Sequence, residues 1–254
     1  MSMKEPHDPA WYENYFGPDY LTIDVQHNTG LEVDFIHSVL GLEPKTRLLD
    51  LACGYGRHME ALLDCGVDVV GCDLSPYMLA EAAKRLRAGK SGGENAVVKL
   101  VRCDLRALPF DGVFDCACLM FNSFGYFDDE DDNFRALAAV RGALKPGGLF
   151  LLDIVNRDYV IRSLTPKDWF EKDDSIVLES KRFDSVRNRT EIDVSIVDKT
   201  GKRTYHHSIR LYSSTELAML LEAAGLHVRA ILGGFEGEEF DIDRDRMLVL
   251  SQAE

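Results

Sequence analysis

Leu48-Leu49-Asp50-Leu51-Ala52-Cys53-Gly54-Tyr55-Gly56-Arg57-His58 is the stretch that decides how this chain folds. The run from Arg47 to Ala52 is short, apolar and bounded by Pro44 and Gly54, the pattern of a strand buried on both faces. It ends in a turn with two glycines, and a helical stretch near Arg57 to Cys65 follows. A turn without side chains lets a ligand lie against the backbone. Two glycines also serve a tight turn that binds nothing, so the surrounding chain has to decide.

Outward from this stretch, strands and helices alternate. A strand over Val67 to Cys72, a helix after Pro76 and strands over Ala96 to Arg102 and Val113 to Met120 are followed by a helix. A Pro146-Gly147-Gly148 turn then leads to a strand over Leu149 to Ile154. This alternation predicts right-handed βαβ crossovers and a parallel sheet with helices on both faces. Upstream, the spacing of Leu31, Val33, Phe35, Ile36, Val39 and Leu40 predicts a helix ending at Gly41. Residues 176 to 212 alternate apolar and polar side chains between turn signals, predicting a three-stranded antiparallel meander. A helix over Ser214 to Ala224, capped by Gly225, leads to closing strands over His227 to Leu232 and Met247 to Ser251. The organisation expected is a lid segment at 1–45, rich in aromatic residues such as Trp11, Tyr12 and Phe16, and a ligand-binding core at 46–155. A β insertion at 156–212 serves as substrate lid or oligomer contact, and residues 213–254 complete the core.

Charge discriminates among ligands. A dinucleotide turn of the form G-x-G-x-x-G would place a third glycine where this chain has Met59, and an acid, Asp50, stands just before the turn. A carboxylate suits a cationic amine better than a pyrophosphate. Asp73 ends the second strand nineteen residues past Gly54, where an acid accepts hydrogen bonds from ribose hydroxyls. Ser75 and Pro76 open the next helix as cap and first residue. The third strand ends Arg102-Cys103-Asp104-Leu105, and the fourth opens with Phe114-Asp115 and closes Met120-Phe121-Asn122-Ser123-Phe124-Gly125-Tyr126. In a doubly wound sheet these ends converge on one rim, where ligands bind. There Asp104 is either an acceptor for a base amino group, with Met78 and Leu105 as apolar walls, or a solvent-facing turn acid.

Asp50-x-Ala52-Cys53-Gly54-x-Gly56, the acid at 73, Cys103-Asp104-Leu105, Phe114-Asp115 and Leu144-Lys145-Pro146-Gly147-Gly148 together resemble the class I, Rossmann-like S-adenosylmethionine-dependent methyltransferases over residues 46–155. Leu211-Tyr212, Glu216-Leu217, Ala223-Ala224-Gly225-Leu226 and Gly233-Gly234 resemble a bacterial and archaeal subgroup with a β insertion before the last two strands. The resemblance implies an α/β fold: a doubly wound, mostly parallel seven-stranded sheet with helices on both faces, an antiparallel last strand and a small antiparallel β insertion. It implies S-adenosyl-L-methionine as cofactor, S-adenosyl-L-homocysteine as product and no metal. Asp50 would face the amine, Ala52, Cys53, Gly54 and Gly56 would allow close backbone approach, and Asp73 with Leu74 would take the ribose. Met78, Cys103, Asp104 and Leu105 would surround adenine. Phe121 and Asn122 would lie beside the methionine arm, with Tyr15, Tyr20 and Arg57 as candidates for its carboxylate.

The activity so implied is in-line displacement of the sulfonium methyl onto a small-molecule acceptor, which needs chiefly an aligned nucleophile. Its rivals are a regulatory or scaffold protein that binds the cofactor without turnover, and an NAD-dependent dehydrogenase, which Met59 opposes. Candidates to overhang the methyl are Asn122, Tyr126, Asn156 and Arg157 from sheet loops and Tyr205, His206, His207 and Arg210 from the insertion. Of these, Asn122, Tyr126 and His207 are the catalytic candidates, a histidine serving as general base because its reference pKa lies near neutrality. The fourth strand lacks the Asn/Asp-Pro-Pro-aromatic sequence associated with amide or base nitrogen methylation.

Composition removes other partners. Forty-three acidic against 29 basic residues give a formal charge of −14, which opposes nucleic acid. Lys84, Arg85, Arg87 and Lys90 form the densest basic group and read as a helix end meeting its dipole. No stretch approaches the ~18 apolar residues of a membrane span, so the expectation is a cytoplasmic monomer or homodimer with no membrane partner. Six cysteines without C-x-x-C spacing read as small buried hydrophobes, with Cys116 and Cys118 on one strand face. The run Asp128 to Asp132 lacks calcium-loop spacing and reads as a helix start, while Glu236 to Asp245 has no assignment.

Overall fold

A computed structural model of the chain describes residues 12, 15–24, 26, 28–89 and 99–254; Trp11, Lys90 and the expected strand start at 96–98 lie outside the described residues. The chain enters through α1 (Pro18–Ile23) and α2 (Thr29–Val39) and then forms β1 (Arg47–Leu51). Leu48, Leu49 and Leu51 are all buried. Leu48 packs with Ile36 and Met59 on one side of the sheet, and Leu49 with Phe114 and Leu137 on the other. A central strand covered on both faces is largely apolar, and Asp50 is the buried exception in this one.

Beside β1 lie β2 (Asp68–Asp73) and β4 (Phe114–Leu119), both parallel to it, with β3 (Lys99–Arg102) beyond β2 and β5 (Leu144–Val155) beyond β4. The closing strands are β10 (Leu226–Leu232) and β11 (Arg246–Ala253), and β11 runs antiparallel to both β5 and β10. The order is β10-β11-β5-β4-β1-β2-β3. Residues of α2, α3 (Arg57–Asp64) and α4 (Pro76–Gly89) pack into one core cluster, and residues of α5 (Glu130–Ala143) and α7 (Ser214–Ala223) into the other, while α6 (Arg157–Ser163) follows β5. Asp129 caps α5 by accepting the Asp131 N–H, so the acidic run is a helix start as the sequence indicates. Ser213 and Glu216 form a capping box on α7.

Three expectations change. Pro146-Gly147-Gly148 is not a turn before the fifth strand: β5 already begins at Leu144, and the register with β4 shifts between Phe114 and Cys116. Gly148 approaches the Asp115 carbonyl so closely that a Cβ would lie 3.0 Å from it, a bulge geometry that needs glycine. The insertion has four strands rather than three, because β6 (Lys167–Lys172) pairs with β7 (Ser175–Asp184) outside β8 (Arg189–Asp198) and β9 (Gly201–Arg210). Lys-Asp-Trp-Phe-Glu-Lys has no apolar alternation to reveal it, since only Phe170 and Lys172 are partly buried. Cys65 is exposed rather than packed, because it caps the C-terminus of α3.

The insertion is tied to the core at one loop. Buried Arg189 donates to Ser208 Oγ at 2.7 Å and to the Phe127 carbonyl at 2.9 Å, and the Arg210 N–H donates to the Gly125 carbonyl at 2.8 Å. Gly125 has φ +96°, and a Cβ there would stand 2.4 Å from the Arg210 carbonyl. These contacts carry Tyr126 against the insertion sheet. Among the described residues no helix is long and apolar enough to cross a membrane.

Candidate active site

A cavity of about 1050 Å³ opens beyond the C-terminal ends of β1, β2 and β4 and reaches the inner face of the insertion sheet. Asp50, Ala52, Cys53, Gly54, Arg57, Asp73 and Leu74 line it from the first two strand ends, and Met78, Cys103, Asp104, Leu105, Phe121 and Asn122 from the elements that follow. Gly56 is not among the residues lining the cavity: it precedes α3 with φ +77°, a left-handed conformation that calls for glycine, and a Cβ there would also meet Ala82 at 3.2 Å.

The glycine turn is held by Asp73. Its Oδ2 accepts the Gly54 N–H at 2.9 Å and its Oδ1 the Ser75 N–H at 2.8 Å, so one carboxylate braces the turns after β1 and β2. Burial raises its pKa. Asp104 caps a short 3-10 turn at Leu105–Ala107 and grips Arg106 through both oxygens, with the Nη2 contact at 2.6 Å.

Among the described residues, two of the buried side-chain atoms without a protein partner stand beside the glycine turn, on Asp50 and Arg57. Asp50 is 1% exposed, its Oδ1 accepts only from the Cys118 thiol at 3.7 Å, and its Oδ2 accepts from nothing. Burial pushes its pKa up to about 6, against the pull of His58 and Arg57. Arg57 is 8% exposed; its Nη1 donates to Thr29 Oγ1 at 3.0 Å and to Glu32, while Nη2 donates to nothing. Glu32 also holds His58 Nε2 at 2.7 Å. Burial alone would raise the Glu32 pKa, but the hydrogen bonds from His58 and Arg57 bring it down to about 2. Unsatisfied buried polar groups are costly unless a ligand completes them. An orphan acceptor and an orphan donor in one cavity wall fit the ammonium and carboxylate of an amino-acid end group.

Phe121 and Asn122 both adopt left-handed backbone, with φ +59° and +57°, which side chains other than glycine take only when the surroundings impose it. Asp153 imposes it: its Oδ2 accepts the Phe121 N–H at 2.8 Å and its carbonyl the Asn122 N–H at 3.0 Å. Arg246 pairs with the same carboxylate, and two guanidinium groups stand near the Phe121 ring, Arg57 at 5.0 Å and Arg246 at 5.6 Å from its centroid.

The far wall is aromatic. Tyr15 stands 5.6 Å from Tyr20 and 4.7 Å from His207, and Phe16 stands 6.1 Å from Tyr126. The insertion adds Phe170, Ile192 and the pair Glu179–Lys181 at 2.5 Å. Burial lowers the His207 pKa to about 4, so its ring is neutral at physiological pH and a weak base, unlike a histidine at its reference value. Asn122, Tyr126 and His207 therefore meet in the cavity, and the other overhang candidates do not line it. Asn156 holds the carbonyls of Asp241 and Arg244, Arg157 holds Asp158 and Glu216, and Arg210 holds Glu216. Tyr205 donates to Asp19, and His206 meets Asp193, one strand position from His207 and so on the opposite face.

Sequence reasoning missed Glu32, Asp153, Glu179 and Lys181. Two left a readable sign: Glu32 is an acid within the apolar stripe of a helix, and Asp153 is an acid inside the run Leu151-Leu152-Asp153-Ile154, as Asp50 is in its own strand.

The profile of the methyltransferase domain family matches residues 48–148. The chain is 30% identical to the dTDP-3-amino-3,4,6-trideoxy-alpha-D-glucopyranose N,N-dimethyltransferase of Streptomyces venezuelae over 75% of this chain and 79% of that protein. It is 36% identical to the glycine/sarcosine N-methyltransferase of Halorhodospira halochloris over 55% of this chain, spanning only about half, 51%, of that relative. The solved CcbJ methyltransferase of Streptomyces caelestis superposes with a TM-score of 0.79 at 21% identity, covering 96% of this chain and 95% of that one, a likeness of fold. The chain belongs to the class I, Rossmann-like S-adenosylmethionine-dependent methyltransferases.

Proposed function

We propose that this chain transfers the methyl group of S-adenosylmethionine to an amine nitrogen of a small molecule, with the N-terminal segment and the insertion as the lid. One observation carries the reading: one cavity runs from the glycine turn to the inner face of the insertion, where Tyr15 and Tyr126 stand against His207, so a donor on one wall and an acceptor on the other share one space. The nitrogen acceptor is supported by two of the relatives, which are named for transfer to nitrogen. It is supported too by the aromatic wall itself and by Asp24 beside Tyr15, which favour a cationic group.

When bound, the cofactor supplies an electrophilic methyl on a sulfonium. Asp50 Oδ2 receives its ammonium, Arg57 Nη2 its carboxylate, and Asp73 and Leu74 stand at its ribose. Met78, Cys103 and Leu105 pack at adenine, with Asp104 beside them. Phe121 and Asn122 hold the arm in place. Tyr15, Tyr20 and Tyr126 surround the acceptor and exclude water, and neutral His207 orients it by hydrogen bonding. An amine attacks only once deprotonated, and a histidine with a pKa near 4 is too weak to take that proton from an ammonium. Catalysis then rests mainly on alignment.

The test is incubation with methyl-labelled cofactor and a panel of primary and secondary amines, amino acids and amino sugars included, read by mass spectrometry. Transfer to an amine, lost on Asp50→Asn, is the expected result. Cofactor binding with no transfer to any metabolite fraction would favour a scaffold, and absence of cofactor binding to the folded chain would remove the reading altogether.

A further inference from the structure

The insertion sheet ends at β6, which pairs with β7 on one side and, among the described residues, with no strand on the other. The phase of its ladder follows from one bond: the Lys181 N–H donates to the Pro166 carbonyl. In an antiparallel pair hydrogen-bonded and non-hydrogen-bonded positions alternate. Asp168, Phe170 and Lys172 therefore bond to β7, while the main-chain groups of Lys167, Trp169 and Glu171 point to the open edge. Asp168 Oδ1 caps the Trp169 N–H at 2.8 Å, so this N–H is not in the ladder, and a strand added at the edge takes the donor over from that side chain.

The side chains of those three residues share the face turned away from the cavity, since Phe170 lies on the cavity side. Trp169 is 61% exposed and sits opposite Leu178, 42% exposed, with Ile176 exposed one pair along. Charged side chains on an edge oppose indiscriminate pairing, and β6 carries four of them, so only a strand whose charges complement Lys167 and Glu171 can add beside the exposed Trp169.

We infer that β6 pairs antiparallel with β6 of a second copy about a two-fold axis at Trp169, joining the two insertion sheets into one. The sequence of the edge selects this partner and this register. With Trp169 opposite its counterpart, Lys167 of each chain faces Glu171 of the other, and all three positions are those whose main-chain groups point outward. Each facing pair exchanges both main-chain bonds, the two tryptophans stack beside the two Leu178 side chains, and opposite charges flank them. A register shifted by one residue would set Lys167 against Lys172 and bring inward-bonded groups to the edge. The interface would also stiffen the acceptor wall, because Phe170 lines the cavity and Lys172 Nζ donates to the Asp24 carbonyl from the same strand.

Sedimentation velocity of the full chain over a concentration series tests this through charge reversal. Wild-type protein should dimerise, Lys167→Glu and Glu171→Lys should each weaken association by roughly tenfold because like charges then face each other twice, and the double variant should recover it. Circular dichroism on each variant verifies that the sheet persists. A wild-type chain that is monomeric throughout the series, a dimer indifferent to both single reversals, or a double variant weaker than either single one would each overturn the proposal.

Discussion

Asp153 accepts the main-chain N–H of Phe121 at 2.8 Å, across 32 residues of sequence, and thereby holds a left-handed turn where β4 ends at the cavity. The same carboxylate neutralises Arg246, whose guanidinium lies over the Phe121 ring. Asp153→Asn keeps an acceptor for the turn but leaves a largely buried guanidinium without its charge partner. We expect stability to fall by about 3 kcal/mol in urea denaturation and the cofactor KM to rise. Unchanged stability would mean that Arg246 is solvated well enough to need no counterion.

The orphan atoms of Asp50 and Arg57 give a sharper test. If they receive the ammonium and carboxylate of the cofactor, Asp50→Asn and Arg57→Lys should each weaken S-adenosylhomocysteine binding by roughly tenfold to a hundredfold in calorimetry. Methylthioadenosine has the nucleoside but no amino-acid end, and its affinity should stay within error. Equal losses for both ligands would assign the two residues to maintenance of the fold.

Cofactor binding should depend on pH through Asp50, whose pKa burial raises from 3.8 to about 6. An ammonium needs the ionised form, so affinity should be flat above about pH 7 and fall as pH drops through about 6. The linked stability has the opposite sign in the unliganded chain. A raised folded-state pKa stabilises below the unfolded value and is lost as pH rises through about 6. The cofactor-induced rise in Tm should therefore be larger at about pH 7.5 than at about pH 5. An identical shift at both values would show that Asp50 is ionised throughout.

Gly125 allows the loop bearing Tyr126 to meet β9. Gly125→Ala combines a left-handed φ of +96° with a Cβ 2.4 Å from the Arg210 carbonyl. A loss of more than about 1 kcal/mol is expected, with acceptor kcat/KM falling further than cofactor affinity if Tyr126 faces the acceptor as proposed. Equal losses in both would place Tyr126 outside the acceptor wall.

His207→Phe keeps a flat ring and removes the nitrogens. It should lower acceptor kcat/KM while cofactor affinity is unchanged, and the wild-type pH profile should show no step from this residue near neutrality, since burial holds its pKa to about 4. A wild-type step near pH 6.5 that vanishes in the variant would restore the general base.

What the sequence determined by itself was whatever depends on local pattern. A buried strand, a glycine turn and a helix follow from consecutive residues, so β1, the turn at Gly54 and the acids Asp50 and Asp73 were legible before any coordinates. The sheet followed too, because alternation of strands and helices leaves few topologies. Tertiary structure alone decided everything that depends on distant partners. Gly56 takes a left-handed φ of +77° against Ala82 before α3, and Asn156 and Arg157 became braces. His207 lost its basicity to burial, and a polar hexapeptide became an edge strand. Glu32 reaches Arg57 across 25 residues and Asp153 reaches Phe121 across 32, so neither carboxylate announces its role to its own neighbours. Burial and charge compensation are properties of the assembled interior, where a group's energy is set by what surrounds it rather than by what precedes it in the chain.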